Sequence, residues 1–175
     1  MTRFVSRDGE SDIGGIMSVE DASFAPGVRE SRETFEDRIA SCPDCVTVLS
    51  DGHDGRIYGY LTAEIWDRVP EPTAESYRLG HAASERHVER GSVLYVSSFA
   101  VDPARRGGVG RPFFRDSIGL IAKNHPALER VAFIVHEDWL AARRIYEAEG
   151  FSYVAEIAGF FAPEGKSALV MEKSL

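Results

Sequence analysis

Val101-Asp102-Pro103-Ala104-Arg105-Arg106-Gly107-Gly108-Val109-Gly110-Arg111-Pro112 joins a strand-like run to a helix-like run, and that junction decides how the rest of the chain reads. Before it, Val93 to Val101 alternates with Val93, Tyr95, Ser97, Phe99 and Val101 on one side, which predicts a strand. After it, Phe114, Ile118 and Ile121 recur at i, i+4 and i+7, which predicts a helix from Arg111 to about Asn124. Glycines between a strand and a helix let the backbone approach a phosphate closely and turn several N–H groups toward it. The positive end of the helix macrodipole adds to that attraction, and Pro112 falls in the first turn, where its missing N–H costs little. Arg105, Arg106 and Arg111 bring three positive charges to the segment, and Arg105, Gly108 and Gly110 fit the pattern R-x-x-G-x-G. The amides from Arg106 through Gly107, Gly108, Val109 and Gly110 to Arg111 are therefore candidates to approach a phosphate. Two commoner nucleotide motifs fail: a P-loop needs Lys-Ser/Thr where Arg111-Pro112 stands, and a dinucleotide fingerprint needs a third glycine where Phe113 stands. Taken alone, the turn also fits a basic loop that binds nothing, since short glycine motifs recur by chance.

Upstream, Arg3 to Arg7 reads as a short strand, and Ser11 with Asp12 as the cap of a helix from Ile13 to about Ser23. Its apolar set is Ile13, Ile16, Met17 and Val19, and Ala25-Pro26-Gly27 breaks it. Ser31 is a good N-cap for a second helix to about Ser41, stopped by Pro43. Val46 to Leu49 is a strand, Ser50 to Gly55 a polar hairpin loop, and Ile57 to Trp66 an alternating strand. Ile57, Leu61, Ala63 and Ile65 share one face of that strand, with Tyr58, Tyr60, Thr62, Glu64 and Trp66 on the other. Residues 67–91 form a long polar loop, with a short helix around Ala74 to His81, and long ordered loops are often functional. Downstream, Val131 to Val135 is a strand covered on both faces, Trp139 to Glu149 a helix capped by Gly150, and Phe151 to Ile157 and Ala168 to Met171 the last strands.

The 175 residues suit a single domain, and no apolar run approaches the ~20 residues of a membrane span. No membrane partner is expected, and the absence of an apolar signal core near Met1 points to the cytoplasm. The net charge of −8 repels a polyanion on average, so no nucleic-acid partner is expected, whereas a small cation is attracted. Cys42 and Cys45 form a lone C-P-D-C, which fits a redox pair or half of a zinc site but reads first as two reduced thiols at a helix end. A metal needs about four ligands, no second cysteine pair exists and no histidine follows at ligand spacing, so no metal is expected.

The glycine turn resembles the acyl-CoA pyrophosphate loop of the GNAT superfamily of N-acetyltransferases, R/Q-x-x-G-x-G/A. Ala142-Arg143-Arg144-Ile145-Tyr146-Glu147-Ala148-Glu149-Gly150-Phe151 resembles the same family's A-x-x-x-Y-x-x-x-G-F segment. The order of elements matches over essentially the whole chain. The resemblance implies one α/β (α+β) domain over 1–175, with a central mixed, mostly antiparallel sheet of about six or seven strands flanked by about four helices. Ser41-Cys42-Pro43, Ile65-Trp66-Asp67, Glu75-Ser76, Gly80-His81 and His136-Glu137-Asp138 echo the arylalkylamine N-acetyltransferases. That subfamily carries two histidines on the strand before the loop, where this chain has Tyr95 and Ser97. The asparagine that often opens the second motif is Trp139 here.

What the resemblance implies is direct transfer of the acetyl group of acetyl-CoA to a primary amine through a tetrahedral intermediate, with no metal. An alkylamine has a pKa of about 10 and must lose a proton before it attacks. Glu64, beside aromatic residues, is the first candidate base, with an exposed carboxylate that binds the substrate cation as the alternative. Tyr95 and Ser97 are expected to hold a water chain. Tyr146 takes the general-acid position toward the leaving thiolate, the Phe99 N–H polarises the thioester carbonyl, and Phe99, Ala100 and Val101 pair with the pantetheine arm. Trp139 is expected at the CoA. Phe24, Pro26 and His136, with the loop after Trp66, are expected around an arylalkyl- or polyamine-like acceptor. A protein N-terminus or lysine as acceptor, or a CoA-binding module without catalysis, are the competing functions, and a homodimer is implied by analogy alone.

Overall fold

The computed structural model describes residues 1–5, 10–51, 55–105 and 107–175. Seven strands, β1 (Thr2–Phe4), β2 (Val46–Ser50), β3 (Ile57–Trp66), β4 (Val93–Val101), β5 (Arg130–His136), β6 (Ser152–Phe161) and β7 (Lys166–Ser174), form one sheet in the order β1-β2-β3-β4-β5-β7-β6. Only β4 and β5 run parallel; every other neighbouring pair is antiparallel. Helices α1 (Glu10–Ser23) and α2 (Arg32–Ser41) pack on one face through Ile16, Val19, Phe35 and Ile39 against Val46, Val48 and Tyr60. Helix α4 (Gly110–Asn124) covers the other face, where Phe113, Phe114 and Ile121 meet Leu61, Ala63, Ile65 and Leu94. Helix α5 (Leu140–Ala148) joins it there through Tyr146, and α3 (Ala83–Arg86) is a single turn. This is the mixed, mostly antiparallel seven-stranded sheet expected, with four helices longer than a turn.

Ser31 caps α2 as expected, its Oγ accepting the Thr34 N–H at 3.3 Å. Helix α1 starts earlier than expected, at Glu10. Asp12 lies inside it rather than capping it, because Arg3 of β1 holds both carboxylate oxygens at 2.7 Å. The Ser11 side chain, and residues 52–54 of the expected hairpin loop, lie outside the described residues. The helix expected over 74–81 does not form. One turn closes where the Tyr77 N–H meets the Thr73 carbonyl at 3.2 Å. It stops because Gly80 takes a φ of +65° and the Tyr77 ring is drawn into the core against Trp66 and Tyr95.

Two register shifts rearrange the faces read from simple alternation. Between β2 and β3, Leu49 pairs with Gly59 and Ser50 with Ile57, so Ile57 joins Tyr60 under α1 while Tyr58 turns to the opposite face. Between β3 and β4, Thr62 pairs with Ser98 and Ala63 with Val96, leaving Ser97 as the extra residue of a bulge. Tyr95 and Phe99, expected on one side, therefore end on opposite faces. Phe99 packs on Phe113 and Phe114, and Ser98 and Ala100 take the face of Tyr95.

The end of α5 follows from Gly150, whose φ is +87°. The Phe151 N–H bonds the Tyr146 carbonyl at 3.0 Å and the Gly150 N–H bonds that of Glu147 at 3.0 Å. This paired closure uses the positive φ to satisfy the last carbonyls, and so fixes Tyr146 relative to Phe151. The cysteines depart from expectation. Cys42 and Cys45 are joined as a disulfide, not two thiols, because the turn Pro43–Cys45 brings their Cα atoms within 5.2 Å. His125, just beyond α4, is folded against them with its Nε2 3.9 Å from the Cys45 Sγ.

Candidate active site

The pairing of β4 with β5 runs from Val93↔Arg130 to Tyr95↔Ala132 and goes no further. Beyond that point the parallel strands diverge, because the bulge at Ser97 bends β4. The divergence opens a narrow cleft of about 70 Å³ that passes through the sheet. On the α4–α5 face it is lined by Phe99, Phe133, Val135 and Tyr146; on the α1–α2 face by Glu20, Phe24, Val28 and Glu30, with Leu79 of the long loop beside them.

The Asp102 N–H donates to the Tyr58 carbonyl at 2.8 Å, and Ala100 and Ser98 pair with Tyr60 and Thr62. By alternation, Ala100 and Ser98 turn their amides to β3, and Phe99 turns its N–H and C=O toward the gap left by β5. A carbonyl or an extended chain entering the gap would meet the strand edge at Phe99. Past the end of β4, the Asp102 side chain accepts the Ala104 N–H at 2.9 Å, and Gly107 and Gly108 take φ values of +122° and +91°. A side chain at either glycine would meet no atom within 4 Å, so it is the backbone conformation, strained for any L-residue with a Cβ, that demands glycine. Gly110 starts α4, and there a Cβ would press on Ile145 at 3.3 Å. An open glycine turn leading into a helix N-terminus and continuous with a free strand edge fits the pyrophosphate and pantetheine of an acyl-CoA.

The basic residues of the turn divide. The Arg105 guanidinium lies 5.4 Å from the Tyr58 ring centre. Arg111 is engaged elsewhere: its Nε bonds Glu149 at 2.6 Å and its Nη2 the Ala148 carbonyl at 3.0 Å, clamping the start of α4 to the end of α5. Arg106 lies outside the described residues.

Tyr146 is buried in the cleft wall against Phe114 and Phe133, with ring centres at 5.0 and 4.4 Å. Burial alone drives its pKa far above the ordinary phenol value, so it holds its proton and can donate a hydrogen bond.

Glu64 is not in the cleft. It is fully buried behind it, where Oε1 accepts from the Trp66 indole N–H at 2.7 Å and contacts His81 Nε2, and Oε2 has no partner among the described residues. The other nitrogen of His81, Nδ1, donates to the Arg78 carbonyl at 2.9 Å. The loop 67–91, which places His81, separates Glu64 from any acceptor. Tyr95 belongs to the same cluster, stacked on Trp66 at 3.9 Å, and burial pushes its pKa far up; it cannot serve a water chain in the cleft. Ser97 does line the cleft, as expected, with its Oγ 2.9 Å from Thr62 Oγ1.

The carboxylate that reaches the cleft is Glu20, near the end of α1. Its Oε1 accepts the Glu30 N–H at 2.8 Å, and its Oε2 accepts a short hydrogen bond from the Tyr60 hydroxyl, which lies 3.0 Å from Ser98 Oγ. Burial raises the pKa of Glu20, only partly offset by those two donors, and the Tyr60 hydroxyl is pushed well above its usual value by burial and by Glu20 itself. Glu30, the second cleft carboxylate, is held by the buried Arg38, whose Nη2 lies 2.6 Å from Oε1 while Nη1 meets Oε2. None of Glu20, Glu30 or Arg38 was expected at the site, and Tyr60 was expected only as part of an aromatic wall beside Glu64. The signal existed for Glu20: it continues the stripe Ile13, Ile16 at core spacing, where a lone carboxylate is out of place.

Phe24 lines the cleft as expected, and Val28 stands where Pro26 was expected, the proline being exposed. Trp139, expected at the CoA, lines the cleft and packs on Phe24 at 5.4 Å, on the α1–α2 side. His136 does not line the cleft. Its ring is enclosed by Trp139 and Phe161 at 5.3 and 4.6 Å, and its Nδ1 accepts the Asp138 N–H at 3.1 Å, so it backs the aromatic wall.

The seven-stranded sheet, split between its parallel strands with a glycine turn at the split, has the fold of solved GNAT-like proteins. Among solved structures, the chain is similar to the loading GNATL domain of CurA from Lyngbya majuscula, with a TM-score of 0.80 and 12% identity over 99% of this chain and 96% of that one. It is similar to the GphF GNAT-like decarboxylase in complex with isobutyryl-CoA, with a TM-score of 0.76 and 18% identity over 99% and 98% of the two chains. The ribosomal-protein-S18-alanine N-acetyltransferase from Escherichia coli superposes with a TM-score of 0.70 and 16% identity over 99% and 92%. No family model and no curated sequence matches the chain. Among the described residues, no helix is long and apolar enough to cross a membrane.

Proposed function

We propose that the chain is an N-acetyltransferase that moves the acetyl group of acetyl-CoA to a small primary amine. The observation that carries this reading is the single cleft that brings the Phe99 strand edge and Tyr146 to one face of the sheet and the Glu20 carboxylate to the other. Acetyl-CoA supplies an activated thioester carbonyl. Gly107, Gly108 and the start of α4 hold its pyrophosphate, and the Phe99 N–H is the donor for the carbonyl oxygen. The amine enters from the α1–α2 face, where Glu20 and Glu30 attract its cation and Phe24, Trp139 and Phe161 offer a wall for an apolar or aryl substituent. Glu20, with its raised pKa, takes the ammonium proton, and Tyr60 and Ser98 keep its carboxylate oriented. Tyr146 donates to the sulfur that departs.

The test is release of free thiol from acetyl-CoA by the purified chain in the presence of a panel of primary amines and of unacetylated peptides. Turnover with small amines, arylalkyl or polyamine, is the expected result. Turnover with peptides alone would move the acceptor to a protein N-terminus or lysine. Tight acetyl-CoA binding without turnover on any acceptor would reduce the chain to a binding module.

A further inference from the structure

At the far end of α4 from the glycine turn lies a second cluster with its own chemistry. Cys42 ends α2 and Cys45 ends the turn Pro43–Cys45, where the Cys45 N–H bonds the Cys42 carbonyl at 2.9 Å and sets both sulfurs on one side. His125 comes from 80 residues away, immediately after α4, and its position is fixed by its N–H on the Ile121 carbonyl at 3.1 Å and its own carbonyl under the Leu128 N–H at 3.1 Å. The two Sγ atoms and a nitrogen of His125 all lie within 4.8 Å of one another. Both cysteines are buried and His125 is partly exposed.

We infer that Cys42, Cys45 and His125 form a site for a soft divalent cation, zinc being the natural occupant, when the cysteines are reduced. Tetrahedral zinc binds sulfur at about 2.3 Å and imidazole nitrogen at about 2.0–2.1 Å, which separates neighbouring ligand atoms by roughly 3.5–3.8 Å. The Cys45–His125 separation of 3.9 Å is a few tenths of an ångström wider than that spacing, a difference a small ring or side-chain shift closes. The sulfurs reach it once their bond is cleaved, through side-chain rotation alone. An external dithiol supplies the two electrons and two protons that convert the disulfide to two thiols, and is itself oxidised to a disulfide. Zinc then displaces both thiol protons, the two thiolates balance its charge, and His125 completes a three-ligand set. The exposed side of His125 gives the ion its entry path and leaves the fourth position to water. The disulfide and the metal site exclude each other, since both use the same sulfur electron pairs.

The probe is zinc alone, or cobalt as a spectroscopic substitute, titrated into the whole chain after reduction and removal of reductant. One equivalent is expected to bind the reduced chain, with thiolate-to-cobalt absorption, and none the oxidised chain. His125→Ala, at a partly exposed position that does not threaten the core, is expected to weaken binding at least about tenfold, since changes merely adjacent to a metal ligand already cost about 10–100-fold. Cys42→Ser with Cys45→Ser should abolish uptake, with circular dichroism checking that the pair still folds. No uptake by the reduced chain, or affinity unchanged in His125→Ala, overturns the assignment.

Discussion

The Tyr60 hydroxyl donates to the Glu20 carboxylate across the interface between α1 and the sheet, joining residues forty positions apart at the floor of the cleft. Tyr60 is fully buried, so this bond is both the anchor that orients Glu20 and part of what its burial requires. A carboxylate placed this way at the amine side of the cleft sets the terms for most of what can be tested.

Glu20→Gln should lower turnover by about 100-fold, the lower range for loss of a general base, while acetyl-CoA affinity stays the same. Glu64→Gln should change turnover by less than about threefold, a small fraction of that effect, because its carboxylate is buried behind the cleft with Trp66 and His81. Steady-state rates of the two variants decide the base, and the reverse ranking would restore Glu64.

The raised pKa of Glu20 also has a stability consequence. The folded chain holds that proton more tightly than the unfolded one, so the resulting stabilisation is complete below the ordinary carboxylate range and is lost as pH rises through the raised value. Gln keeps the neutral form at every pH. The melting temperature of Glu20→Gln minus that of the parent should therefore grow from about pH 4 to pH 7; a shrinking difference would contradict the shift.

Tyr146→Phe keeps the ring packed on Phe133 and Phe114 and removes only the donor. Turnover should fall by about 100-fold, with CoA affinity by calorimetry nearly unchanged. Equal turnover would remove Tyr146 from the chemistry.

Gly108→Val forces a branched residue into a φ of +91°. The strain is about 1–2 kcal/mol if the loop keeps its shape, or the loop shifts and presents fewer amides. Either way the Kd for CoA should rise about tenfold or more, with the far-ultraviolet spectrum unaltered. Calorimetric titration reads this directly.

Arg38→Met removes the partner of Glu30 in a buried pair. An uncompensated buried charge costs about 3–5 kcal/mol, read as a lower urea midpoint. Adding Glu30→Gln should recover much of it, because the orphaned carboxylate is then gone.

The parts of this protein legible from the chain alone are those whose cause is local. The bounds of β3 and β4, though not the faces of their residues, follow from alternation in the sequence, and Ser31 and Gly150 mark helix ends because capping is a contact between near neighbours. The glycine turn is legible because a positive φ at Gly107 and Gly108 is a property of those residues. The Tyr146 to Gly150-Phe151 spacing is legible because one helix end ties them together.

What only the tertiary structure decided is which side chains share the cleft. A single extra residue, Ser97, reverses the faces beyond it, and no periodicity within β4 announces a bulge that exists only against β3. Glu64 and Glu20 both read as carboxylates near apolar neighbours; the loop carrying His81 closes over one, and the splay of β4 from β5 opens the cleft that the other lines. His125 reaches Cys45 for the same reason, since the separation in space of residues eighty apart is set by the packing of α4 on the sheet and by nothing in either segment.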